Sequence, residues 1–296
     1  MISIIVPTYN REKVVTRTLE SIRNQTYPEW ECLVVDDKST DNTFNVIREY
    51  IKVDGRFKLL DNNRKKGAQG ARNTGILEAQ GEYVVFFDSD DIMHEDFLQK
   101  VIEKINTDQA DICGSFLTVV NQNDEKIDTI AWRGYGSLHT DILKGRTYFC
   151  NDSTLIRRQK LIDVNLLDED CPAYQEWETH IRLSNISLYT TVEKELVDYY
   201  RGGEDTISKS TKRSILGHLY ILNKFKKEFI NKAFFFYFKL CFEAYYNIQN
   251  MRKEDIDNYN FCISYFRKTV CLVCQITIYF LFFIRTIKRY IRKDDK

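Results

Sequence analysis

The chain has 296 residues, with 43 basic and 43 acidic side chains and hence no formal net charge, and 43% of its residues are hydrophobic. That length allows two domains or one large one with an appendage, and the composition is enough for a packed core. A neutral balance argues against a nucleic-acid partner, although the charge is uneven: between Arg267 and Lys296 eight Lys or Arg face two Asp, a local +6 that leaves −6 for the rest.

In chain order, Ile2 to Val6 reads as a short buried strand stopped by Pro7, and Thr8-Tyr9-Asn10 leads into a helix with Val14, Val15, Leu19 and Ile22 on one stripe. Cys32 to Val35 forms a second strand ending in Asp36-Asp37. Ser39-Thr40-Asp41 then offers N-cap chemistry to a helix carrying Phe44, Ile47 and Tyr50. Phe57 to Leu60 is a third strand, followed by a polar turn to Gly67 and a helix through Ala71, Arg72, Gly75 and Ile76. Tyr83 to Phe87 is a fourth strand, wholly apolar, which runs into Asp88-Ser89-Asp90-Asp91. Strands too apolar to face water, alternating with helices, predict a parallel sheet covered on both faces.

Ligands of such sheets sit beyond the carboxyl ends of the strands. Thr8-Tyr9-Asn10, Asp36-Asp37 and Asp88-Ser89-Asp90-Asp91 all occupy carboxyl ends and are expected to share one rim. Three carboxylates within four residues call for a counter-charge, and a hard divalent cation with oxygen ligands supplies one. Asp91 is equally open to a role behind the ligands or as a helix cap. Neither a Gly-x-Gly-x-x-Gly after a strand nor a Gly-x-x-x-x-Gly-Lys-Ser/Thr occurs, so a glycine-rich phosphate loop is not expected.

Five stretches, Ile4–Arg11, Ser21–Tyr27, Val34–Thr43, Gly70–Gly75 and Asp88–Asp91, resemble in order the motifs of the family 2 glycosyltransferases of bacterial surface-polysaccharide synthesis. The likeness is dense over the first hundred residues and looser to about residue 210. It implies the GT-A fold, an α/β Rossmann-like and mostly parallel sheet flanked by helices, with a C-terminal helical appendage in this chain. It also implies a nucleotide-sugar donor, usually UDP-linked, a Mn or Mg ion and inversion at the anomeric carbon. Matched residue by residue, it places Pro7, Thr8, Tyr9 and Asp37 against the nucleotide, and Arg72, Asp88 and Ser89 on the donor side, with a Lys65 or Lys66 amine as alternative to Arg72. Asp90 and Asp88 are then the expected metal-binding pair. Residues 1–100 would bind the nucleotide sugar and 101–210 the acceptor, with 211–296 a separate helical region.

Beyond the strand from Ile112 to Val120, Asn121 to Gly136 reads as a polar loop. Gln175-Glu176-Trp177 followed by Arg182-Leu183 is similar to the family's late acidic motif and places Glu176 as general base, although Glu replaces the commoner Asp and is one methylene longer. Glu176 and Glu178 as plain first-turn helix acids are the competing reading, and Arg182 is expected to pair locally. Leu196 to Ser208 resembles the loop that closes over the donor, with Gly202 and Gly203 as its pivots and Arg201 beside the diphosphate or in solvent. The Gln-x-x-Arg-Trp pattern of processive synthases is missing, which predicts single additions.

From about Ser214 the chain turns to long aromatic-rich helices. The 16 uncharged residues between Lys268 and Arg285 reach roughly 24 Å as a helix, short of a roughly 30 Å hydrocarbon core. With the basic residues from Arg285 to Lys293 behind them, they are expected to lie in the plane of the cell membrane's inner face, attaching through 268–293. Packing against the catalytic domain or a homodimer partner is the alternative. Eight cysteines are scattered, mostly in apolar runs. Cys271 and Cys274 have CxxC spacing without further ligands, so packing rather than zinc is expected. With no basic leader before the first strand, a reducing cytoplasm is the expected compartment.

The function that follows is single-sugar transfer to a glycan or polyprenyl-linked acceptor. A non-catalytic nucleotide-sugar-binding subunit is the alternative, with a haloacid-dehalogenase-like phosphohydrolase less favoured because Asp91 follows the Asp-x-Asp and the strand is the fourth.

Overall fold

The computed structural model describes residues 1–201, 211–251, 256–270, 272, 274–279, 281 and 282. The chain divides into two compact units, Met1–Asp170 with Gln175–Asp205, and Cys171–Tyr174 with Thr206–Lys296.

The first unit opens as the periodicity predicts: β1 (Ile2–Thr8), α1 (Val15–Arg23), β2 (Trp30–Asp36), α2 (Thr43–Tyr50), β3 (Phe57–Asp61), α3 (Ala68–Glu78) and β4 (Tyr83–Phe86). The strands lie parallel in the order β3-β2-β1-β4. Thr8 stands beside Asp36, and Asp36 beside Asp61, so the carboxyl ends are flush. Ile5 pairs with Phe86 and the Phe87 amide donates to the Ile5 carbonyl, which brings Asp88 out at the same rim. Val84, Val85, Phe86 and Phe87 are wholly buried. Each such side chain contributes about 2 kcal/mol of transfer free energy, so the acidic stretch that follows is fixed by the strand before it.

The second half of the sheet is mixed. It comprises β5 (Ile92–Met93), β6 (Ile112–Val120), β7 (Lys126–Ile130), β8 (Thr154–Arg157) and β9 (Tyr189–Tyr200), with helices α4 (Phe97–Asp108), α5 (His139–Leu143), α6 (Arg158–Asp163) and α7 (Gln175–Leu183). β8 inserts antiparallel between β4 and β6, so the strand at 112–120 continues the sheet at one remove. Two expectations are corrected. The polar stretch 121–136 is not all loop, because β7 pairs antiparallel with the end of β6, and an edge hairpin of this kind tolerates charged residues on its open face. Leu196 to Tyr200 is not a lid but the end of β9, paired with β6 and β5. Gly202 and Gly203 lie outside the described residues.

The second unit is helical, with α8 (Thr211–Lys224), α9 (Lys226–Lys232), α10 (Phe234–Met251) and α11 (Ile256–Thr269). They close over buried Leu219, Phe229, Tyr237, Cys241 and Phe266. Cys274 is buried, as packing requires; Cys271 lies outside the described residues.

α3 approaches the preceding turn so closely that only glycine fits at position 70, where a Cβ would stand 1.8 Å from the Lys65 carbonyl oxygen. Gly70→Ala is therefore expected to lower stability in urea unfolding by about 2 kcal/mol, despite alanine's better helix propensity.

Candidate active site

The rim is assembled from loops that knit to one another before they meet any ligand. Asn10, in the left-handed region at φ 53°, accepts from the Thr40 amide through Oδ1 at 2.8 Å and donates its own amide to Ser39 Oγ at 3.0 Å. The Arg11 amide donates to Thr43 Oγ1 at 2.7 Å, tying the β1–α1 and β2–α2 loops together. Pro7 and Thr8 are buried at the end of β1, while Tyr9 is exposed with the Lys66 ammonium 4.4 Å from its ring centre. Thr8 Oγ1 is buried without a partner.

Asp37 is buried. Its carboxylate accepts from Asn62 Nδ2 at 2.5 Å and from the Gly67 amide at 2.8 Å, and its own amide donates to the Thr8 carbonyl. It thus ties the end of β2 to the turn ahead of α3. Lys65 is held by Asp170 at 2.6 Å.

Arg72, buried on α3, donates to Asp88 Oδ1 at 2.6 Å and to Gln69 Oε1 at 2.9 Å. Burial works against its charge, but Asp88, Asp152 and Glu176 are all near enough to hold it cationic. Ser89 is buried beneath the turn. Asp90 is half exposed, with Arg11 Nε 3.6 Å from its carboxylate.

Asp91 is neither surface turn nor helix cap. It is 1% exposed, and the next helix starts at Phe97 with Asp96 in the cap position. Asp91 Oδ1 accepts from the Tyr200 amide at 2.8 Å, and Oδ2 is buried without a partner. Its neighbour across the sheet is Asp152, on a 3-10 turn (Asn151–Ser153) before β8, which accepts from the Asp88 amide at 2.7 Å. One carboxylate oxygen from each of Asp88, Asp91 and Asp152 lies within 4.8 Å of the others. The structure thus gathers Asp88 with Asp91 and Asp152, and the charge of Asp90, which meets Arg11, acts on both Asp91 and Asp152.

Burial and then Asp152 and Asp88 push the Asp91 carboxyl well above the usual range. Burial and then Asp88 do the same to Asp152, opposed by Arg72. Like charges confined in a poor dielectric raise one another's pKa until something positive enters. The orphaned Asp91 oxygen and the all-oxygen donor set suit a hard divalent cation. Asp152 was missed in the sequence. Its only signal there is a polar quartet, Asn151-Asp152-Ser153-Thr154, directly ahead of apolar Leu155 and Ile156.

Glu176 stands at the first turn of α7 and accepts from the Asn151 amide at 3.1 Å. Burial pushes its carboxyl up to about 7, while the Asn151 amide and Arg72 oppose the shift and Asp88 adds to it. Glu176 thus reaches the same crevice as Asp88 and Asp152. Tyr199 on β9 faces it too: burial, then Asp152, Asp91, Asp88 and Glu176, raise its phenol. Such an arrangement can hold a cation on one side and a proton-accepting carboxylate on the other.

A family model described as glycosyl transferase family 2 matches residues 3–165, more than half of the chain. The chain belongs to glycosyl transferase family 2. Within that family it is 31% identical over 159 residues to the putative teichuronic acid biosynthesis glycosyltransferase TuaG of Bacillus subtilis, a match over 54% of this chain and 63% of that one. It is 39% identical over 123 residues to the UDP-Glc:alpha-D-GlcNAc-diphosphoundecaprenol beta-1,3-glucosyltransferase WfgD of Escherichia coli, over 42% and 48% of the two chains. The chain thus spans less than two thirds of these curated relatives. Among solved structures, S. aureus TarS 1-349 in complex with UDP-GlcNAc superposes with a TM-score of 0.61 at 18% identity, covering 90% of this chain and 91% of that one. The mannosyltransferase PcManGT of Pyrobaculum calidifontis, in complex with GDP-Man and Mn2+, gives 0.58 at 17%, over 98% and 82%. At such identities the likeness establishes the shared GT-A fold.

In this family 2 chain the two acids of α7 have separate partners. Glu178 is fully buried and meets Arg182 through two 2.8 Å bonds, and Arg182 also donates to the Leu166 carbonyl at 2.7 Å. Removing Glu178 takes the carboxylate from a part-buried guanidinium that keeps only its bonds to the Val164 and Leu166 carbonyls. Glu178→Ala is expected to cost about 3 kcal/mol in urea unfolding, whereas Glu176→Gln leaves stability within about 1 kcal/mol of the parent.

Proposed function

We propose that the chain is an inverting glycosyltransferase that moves one sugar from a nucleotide sugar, UDP-linked, to a hydroxyl of a glycan or polyprenyl-linked acceptor in surface-polysaccharide synthesis. The observation that carries the proposal is the meeting of Asp88, Asp91, Asp152 and Glu176 with Arg72 at the carboxyl rim of the parallel strands. The names of WfgD and of the Campylobacter jejuni GalNAc(5)-diNAcBac-PP-undecaprenol beta-1,3-glucosyltransferase support the acceptor class. TarS with UDP-GlcNAc supports the donor class, and PcManGT with GDP-Man and Mn2+ supports the cation.

In this reading Asp88, Asp91 and Asp152 would hold a Mn or Mg ion, and Asp90 is near enough to add its charge to theirs. When bound, the ion offsets the negative charge that builds on the departing diphosphate. Pro7, Thr8, Tyr9 and Asp37 line the nucleotide end, where the unpartnered Thr8 hydroxyl is free to bond the base or ribose. Arg72 stands between the acids and, with Ser89, shapes the donor side. Glu176 accepts the proton of the acceptor hydroxyl as that oxygen attacks from the face opposite the leaving group. Its raised pKa makes it a competent base near neutrality and a poor one in acid.

The same reading keeps the protein at the inner face of the membrane. Among the described residues no helix is long and apolar enough to cross a membrane. Leu272 and Ile276 are exposed on the face away from buried Cys274 and Ile278, and Phe235 at the start of α10 is 87% exposed. These apolar groups suit an interfacial position; the basic residues 285–293 lie outside the described residues.

Three measurements test the proposal. Calorimetric titration with UDP is expected to give binding with Mn or Mg present and none in chelator, and cation-independent or absent binding contradicts it. Glu176→Gln is expected to cut transfer by at least about 1,000-fold while donor affinity stays within about threefold. In the parent enzyme kcat/KM is expected to fall as pH drops below about 7, as Glu176 protonates. An unchanged rate in Glu176→Gln removes this residue from the chemistry.

A further inference from the structure

The carboxylate turn is gripped from outside by a closed ring of contacts that runs from α1 to the end of β9 and meets the turn at Asp90 and Asp91. Arg17, on the exposed side of α1, donates through Nη2 to the Asp90 carbonyl at 3.0 Å. The next residue, Thr18, donates through Oγ1 to the Asp91 carbonyl at 2.9 Å, so one turn of α1 pins two consecutive carbonyls of the turn. The Arg17 guanidinium also lies 3.8 Å from the centre of the Tyr200 ring, and its Nη1 is 3.5 Å from Asp124. The Tyr200 hydroxyl donates to Asp124 Oδ1 at 2.5 Å, fixing the ring under the guanidinium. The ring closes where the Tyr200 amide donates to Asp91 Oδ1 at 2.8 Å, while Oδ2 is buried without a hydrogen-bond partner in a residue that clusters with Asp88 and Asp152.

We infer that Arg17 and Tyr200 are positioning residues for the cation site, acting through Asp91. The inference rests on the cation reading above. Its physical content is the division of labour between the two oxygens of Asp91. A carboxylate that spends one oxygen on a fixed backbone amide presents the other in a single direction, and outer partners of this kind set the affinity of the ligand they orient. The backbone amide of Tyr200 is held in place by β9 on one side and by the Arg17–Asp124 clasp on the other. Loosening the clasp frees the end of β9 and, with it, the bond that aims Asp91.

The sign of the effect separates positioning from simple electrostatics. Arg17 is a positive charge near an acidic cluster, so removing it by itself strengthens attraction for a cation. Positioning predicts the reverse. The test is Mn2+ binding to the full chain without donor, followed by calorimetry and by the loss of free-Mn2+ paramagnetic signal, with thermal unfolding as a check on folding. Arg17→Met is expected to weaken Mn2+ binding by about tenfold or more, with kcat recovering at high Mn2+. Tyr200→Leu is expected to do likewise, and the double variant to be no weaker than the worse single, because both break one ring. Tyr200→Phe, which loses only the hydroxyl to Asp124, is expected to give a rise in Kd of about threefold and carries the test if the larger changes unfold the protein. If parent and Arg17→Met bind Mn2+ equally, or the variant binds more tightly, the positioning role is overturned. If the parent binds no divalent cation at all, it is the cation reading itself that fails.

Discussion

Three carboxylates closed into one small, poorly solvated space dominate this structure. Asp91 and Asp152 are almost wholly buried and Asp88 is only partly exposed, and among the described residues Arg72 brings a positive charge into direct contact with Asp88. Folding the chain this way sets Coulomb repulsion and lost hydration against the hydrophobic burial of the flanking strands. The fold tolerates it because the acids sit at the ends of strands whose side chains are completely buried, and the backbone has no freedom to carry the charges apart. In the proposed function a cation held here would add the relief of that repulsion to the coordination itself.

The rest of the first unit serves this arrangement. The flush ends of β1, β2 and β3 bring Thr8, Asp37 and the Lys65–Gly67 turn to one side of the acids. Asp37, whose carboxylate is occupied by Asn62 and the Gly67 amide, is first a staple between the second and third loops. The antiparallel insertion of β8 between β4 and β6 delivers Asp152 from more than sixty residues downstream, and the Asn151 amide beside it donates to Glu176. In the proposed chemistry this turn is the hinge of the design, since it couples a cation-binding acid to the base through adjacent residues. Such coupling makes the spacing between donor and acceptor sides a property of the backbone rather than of side-chain rotamers.

Much of this was legible in the sequence, and what was not has identifiable causes. The parallel half of the sheet follows from apolar runs and helix stripes, and the shared rim follows from parallel strands once their order is known. The five motifs also carried the family. The role of Asp91 was left open because the local pattern of an acid before a helix suits a cap as well as a buried ligand. The two-residue strand β5, which pushes the helix on to Phe97, is too short to show as periodicity. Asp152 was invisible as a site residue because its partners are remote and its own neighbourhood is merely polar. β7 was lost to its charge, which an edge hairpin accommodates on its open face.

The central claim is that Asp88, Asp91 and Asp152 together hold a divalent cation at the carboxyl rim. Crystals of the full chain grown or soaked in Mn2+, measured for anomalous scattering, test it most directly. The account predicts one strong anomalous peak within coordination distance of oxygens from all three carboxylates. A peak at Asp90 alone, or no peak between these acids at saturating Mn2+, would contradict it.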